Sequence, residues 1–211
     1  MSDEYQMRRE QRMFAYRRDV VSIVADLKEA GLALAAIDDV LRDKKTFRAA
    51  LPTLLEWLER TTDLDVKDKI VRTLTTKWAA PAAAVPLIDE FRRVADSDGL
   101  GLRWVIGNAL TQVADDSVFS RLVDLTKDPH FGRAREMVVV ALGNMKDEKA
   151  IDVLIGLLDE ADLVGHAVIA LGKLRATKAR DRVRGLLRHE KAWVRKEAKK
   201  ALAKMGQGPT D

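Results

Sequence analysis

Apolar residues recur along this chain at helical rather than strand spacing. Between Leu102 and Ala114 the positions Leu102, Val105, Ile106, Ala109, Leu110 and Val113 trace the i, i+3, i+4, i+7, i+8, i+11 stripe of an amphipathic helix. Nowhere do β-branched residues alternate with polar ones over the length of a strand, so the pattern predicts an all-α fold. The stripe of residues 102–114 is one-sided, and such a helix needs neighbours to cover it.

The helical pattern repeats. The segments RTLTTK, NALTQV, VALGNM, IALGKL and KALAKM place an aligned leucine at Leu74, Leu110, Leu142, Leu171 and Leu202, at successive separations of 36, 32, 29 and 31 residues. A second set aligns ahead of them: LPTLLEWL from Leu51, VPLIDEF from Val85, VFSRLVDL from Val118, IDVLIGLL from Ile151 and RVRGLLRH from Arg182. Short polar turns with Asp63, Asp98, Asp128, Asp162 and Glu190 separate the two sets, so each unit reads as helix–turn–helix. The last second helix keeps a narrow stripe, Val194, Ala198, Ala201, Leu202 and Met205, ringed by Lys196, Lys199, Lys200 and Lys204, as expected of a terminal repeat.

Residues 1–45 break the period. The apolar positions Met13, Phe14, Val20, Val21, Val24 and Leu27 predict a long helix ending at Gly31, and Ile37, Val40 and Leu41 a shorter one. The expected organisation is an N-terminal helical cap over 1–45, part of the same domain, repeats over 46–206 and a frayed tail over 207–211.

Leu-Pro-x-Leu in the first helix, an acidic turn, Val-Arg opening the second (Val194-Arg195 is the cleanest copy) and Ala-Leu-Gly near its end resemble the HEAT repeat, including PBS-lyase-type HEAT-like repeats. The resemblance covers residues 46–206, is strongest in the last three units and weakest in the first, where Lys67 and Thr73 depart from the usual Arg and Ala. It implies an α-α superhelix, a right-handed solenoid of about five helix pairs with the second helices lining a concave side.

Seven residues before the marker leucines stand Lys67, Arg103, Arg135, Val164 and Arg195. The four basic ones open their helices and are expected to pair with turn acids such as Asp63, Asp98 and Asp128, ordering the turn rather than meeting a ligand. Trp104 is different. It falls outside its helix's apolar stripe, beside Asn108 and Thr111, which places an indole where a partner or solvent should be; alternatively it folds over an adjacent repeat. The same register gives Asp68, Trp104, Glu136, Gly165 and Lys196, then Arg72, Asn108, Val140, Ile169 and Lys200 one turn on. An apolar middle (Trp104, Val139, Val140, Val168, Ile169) with basic ends fits a groove for a protein or peptide partner. Burial of the VVVAL and AVIAL segments inside a tightly curled stack is the other reading.

Charge and composition add limits. The 37 basic against 33 acidic residues leave a net charge of +4, which permits nucleic-acid binding without arguing for it. Arg8, Arg9, Arg12, Arg17 and Arg18, with the C-terminal lysines, form two basic ends that either hold phosphates or are solvated. With no cysteine there is no disulfide, thiolate nucleophile or Cys-ligated zinc. His130, His166 and His189 lie apart without carboxylates at metal-ligand spacing, and His166 sits on a core register, where a satisfied core histidine is expected. No P-loop, dinucleotide fingerprint or nucleophile elbow occurs.

Trp104-x-x-x-Asn108 faintly resembles the HEAT-like alkylpurine DNA glycosylases, where a Trp and a catalytic Asp stand four apart. Asn108 supplies no carboxylate to stabilise a cationic sugar, so the resemblance implies nucleic-acid binding without base excision. The charged N-terminus and lack of a membrane-length apolar run predict a cytoplasmic protein. The expectation is a non-catalytic scaffold without cofactor or metal, with a protein or peptide partner.

Overall fold

The computed structural model describes residues 3–95 and 101–206; Asp98 and the 207–211 tail lie outside the described residues. Among them are eleven α-helices and no strand. α1 spans Asp3–Glu29, and five helix pairs follow: α2 (Lys44–Arg60) with α3 (Leu64–Leu74), α4 (Ala84–Arg93) with α5 (Leu102–Val113), α6 (Phe119–Lys127) with α7 (Arg135–Leu142), α8 (Lys149–Gly156) with α9 (Val164–Lys173), and α10 (Arg180–Gly185) with α11 (Ala192–Gly206). The fold is an all-α helical-repeat solenoid.

The second helices touch one another in unbroken succession, α3 to α5, α5 to α7, α7 to α9 and α9 to α11. Glycine and alanine permit that closeness. A Cβ on Gly172 would lie 2.8 Å from the Cβ of Ala201, and one on Gly143 3.0 Å from the Cα of Ala170, so the Gly of the Ala-Leu-Gly element marks where consecutive backbones meet. The marker leucines Leu74, Leu110, Leu142 and Leu171 are fully buried, and Leu202, on the last described helix, only partly.

Two aspartates fix the starts of the first helix pair. Asp63 Oδ1 accepts from the backbone N–H groups of Asp65 and Val66 at 2.9 and 3.0 Å, capping α3, and Asp43 accepts from Thr46 at 2.9 Å, capping α2. α1 ends as expected at Gly31, whose φ of 83° lets the N–H groups of Gly31 and Leu32 reach the carbonyls of Lys28 and Leu27. The covered side of α1 is a correction. Asp19, Ile23 and Leu27 are buried, with Tyr16, Val20 and Val24 packed beside them, whereas Met13, Phe14 and Val21 point to solvent. Polar contacts fix that orientation: Asp26 accepts from Trp57 Nε1 at 2.7 Å and Arg60 at 3.1 Å, and Asp19 from the Thr61 hydroxyl at 3.0 Å. Residues Ile37–Arg42 form a 3-10 rather than an α-helix.

Candidate functional site on the second helices

The solvent side of α3, α5, α7, α9 and α11 carries the residues singled out in the sequence. Trp104 on α5 is 36% exposed. Val140 on α7 and Ile169 on α9 are half-buried, while Val139 and Val168 are completely buried, which narrows the apolar middle to Trp104, Val140 and Ile169. The second helices are flanked on both sides, so alternate turns of VVVAL and AVIAL go inward. Asn108 is half-buried, its carbonyl taking the Thr111 hydroxyl at 2.7 Å. Arg72 is exposed and bonded to Asp68 at 2.6 Å; Lys196 and Lys200 are exposed, Lys200 reaching Glu197 at 2.7 Å.

Glu136 and Gly165 lie differently from their neighbours in the register. Glu136 is 6% exposed, and its carboxylate accepts from Arg133 Nε at 2.9 Å while standing 3.7 Å from His166 Nε2. Gly165 lies beneath the Trp193 indole, with ring atoms 1.9 and 2.1 Å from where a Cβ would be. The same indole packs against His166, ring centroids 5.4 Å apart. Sequence reasoning passed over Trp193; a glycine in a row otherwise occupied by larger residues was the available sign that something large rests on it.

His166 departs from the satisfied core histidine expected of it. Its Nδ1 is buried without a hydrogen bond of normal geometry, the backbone of Asp162 giving only a weak contact. Burial pushes its pKa below the ordinary 6.5, against the pull of the Glu136 carboxylate. The imidazole is therefore held neutral.

The basic ladder is structural, and Lys67 and Arg135 have hydrogen-bond partners other than the Asp63 and Asp128 expected for them. Lys67 donates to the Leu58 carbonyl at 3.0 Å and to Glu90 on α4 at 2.6 Å; Arg135 donates to the Thr126 carbonyl at 2.9 Å and pairs with Glu160 at 3.0 Å. Arg103 reaches the Phe91 carbonyl at 2.9 Å and Arg195 those of His189 and Glu190 at 2.7 and 2.8 Å. Carbonyls at or just beyond the C-terminal ends of the first helices lack helical partners, and a long cationic side chain from the following helix satisfies them. Asp63 and Asp128 serve as caps instead, Asp128 accepting from the His130 backbone N–H at 3.0 Å.

Among the described residues no three His, Asp or Glu side chains are grouped to hold a metal ion, and no helix is long and apolar enough to cross a membrane.

The family comparison bears on this stack directly: residues 86–165 match the family model for HEAT repeats, from Pro86 in α4 to Gly165 in α9. That stretch is a HEAT-repeat array. No curated protein matches the chain. The matched HEAT repeats contain Trp104, Asn108, Glu136 and Val140, whereas Ile169, the lysines of α11 and the Val194-Arg195 copy follow the match.

Proposed function

We propose that the chain is a non-catalytic HEAT-repeat scaffold whose second helices line a concave face that binds a protein or peptide segment. The observation that carries this is Trp104, an indole left 36% exposed inside the matched repeats, one turn before the register of the half-buried Val140 and Ile169. A central aromatic among aliphatic side chains, bordered by Arg72, Asn108, Lys196 and Lys200, is the composition of a binding hot spot with a polar rim. Continuous contact between second helices supports the concave assignment, because the inner side of a curved stack brings its helices closest.

Selection of a random displayed peptide library on the full chain, followed by binding to Trp104→Ala, tests the reading. Enriched peptides should lose about 2 kcal/mol of affinity or more on the variant. Peptides that bind wild type and variant alike would place the site elsewhere. Micromolar, steeply salt-dependent binding of duplex DNA, lost on neutralising Arg72, Lys196 and Lys200, would replace the peptide by nucleic acid.

A further inference from the structure

Beyond the apolar centre, the second helices carry a row of a different character. Two residues after each marker leucine stand Thr76, Gln112, Asn144, Lys173 and Lys204, at or just past the C-terminal ends of α3, α5, α7, α9 and near that of α11. None of the five is acidic. The Asn144 amide donates to the Thr111 carbonyl at 2.6 Å, and the Lys173 ammonium donates to the Asn144 side-chain oxygen, so polar groups link α5, the end of α7 and α9. Lys77, next to Thr76, and Lys204 are both exposed, and among the described residues Lys77, Lys173 and Lys204 form no ion pair.

Two of these cations act on the third. Burial lowers the pKa of Lys173, and the ammonium groups of Lys77 and Lys204 push it the same way. In the adjoining row the cations are compensated, Arg72 by Asp68 and Lys200 by Glu197. An uncompensated cluster repels itself until an anion enters.

We propose that Lys77, Lys173 and Lys204 make this face selective for an acidic peptide segment, whose carboxylates meet the lysines while its apolar side chains reach Trp104, Val140 and Ile169. This rests on the reading of the face as a peptide site. Charge complementarity favours a peptide over a duplex: three lysines beside an apolar centre, with Asp68 and Glu197 neutralising the cations of the adjoining row, are not the continuous positive strip that a phosphate backbone requires.

The random displayed library is the probe, selected in parallel on the full chain and on the triple variant Lys77→Gln, Lys173→Gln, Lys204→Gln, whose fold is checked by its melting curve. Wild type should enrich Trp104-dependent peptides rich in Asp and Glu that bind the triple variant about tenfold or more weaker and lose affinity with added salt. Trp104-dependent peptides without acidic bias, or equally bound by the triple variant, would overturn the lysine inference and leave the peptide reading standing. If no Trp104-dependent peptide is enriched, both fall. Acidic peptides independent of Trp104 would detach the lysines from the proposed face and overturn the inference as stated.

Discussion

Gly165→Ala probes the contact between α9 and α11. The added methyl would sit 1.9 Å from one Trp193 ring carbon and 2.1 Å from another, a distance no side chain tolerates, so the indole has to leave. Trp193 is 42% exposed in place, so somewhat more than half of its surface is covered. A fully buried indole hides roughly 150–250 Å², so the covered part amounts to ~100–150 Å² and is worth up to ~3 kcal/mol. Some contact survives in the displaced position, and Ala returns up to ~1 kcal/mol over Gly in a helix. The expected net loss is ~1–2 kcal/mol. Urea denaturation followed by far-ultraviolet circular dichroism reads it, and the Trp193→Ala background supplies the control. There Gly165→Ala should become stabilising, by about 1 kcal/mol, because only the helix propensity remains. A loss of the same size in both backgrounds would refute the contact as its cause.

Three further outcomes follow from the packing and charges. Leu142→Ala or Leu171→Ala, each emptying a fully buried site between repeats, should cost ~2–5 kcal/mol in the same denaturation assay; under about 0.5 kcal/mol would show the repeat register to be wrong. Lys67→Ala leaves the buried Glu90 carboxylate with Arg93 alone and frees the Leu58 carbonyl, for an expected loss of ~3–5 kcal/mol, against little change for the exposed Lys196→Ala. His166 has its folded pKa below its unfolded value of about 6.5, so the unfolded chain takes up the proton first and stability falls as pH drops below 6.5. A titration of stability against pH should be shallower over that range in His166→Gln, and an unchanged slope would remove His166 as its source.

The repeat was legible because a leucine every 29 to 36 residues is a one-dimensional signal, and Leu74, Leu110, Leu142 and Leu171 all proved to be core. The face of α1 was less so, since the helix carries two apolar stripes: Val20, Val24 and Leu27 on one side, and Met7, Phe14 and Val21 at seven-residue spacing on another. Periodicity identifies stripes without saying which is covered, and Asp19 and Asp26, hydrogen-bonded to Thr61 and Trp57, decide it. The ladder's basic residues were recognisable as structural, yet the partners of Lys67 and Arg135 were misassigned, because a free carbonyl at a helix end leaves no mark in the sequence. The grouping of Glu136, His166 and Trp193 was hidden for another reason: these residues come from three different helices and meet only when the repeats stack.

The location of the binding face is tested most directly by amide hydrogen exchange of the full chain with and without a peptide selected as Trp104-dependent. The account predicts slowed exchange along α5, α7 and α9, with the first helices α4, α6 and α8 unchanged. Protection confined to those first helices, or to α1, would contradict it.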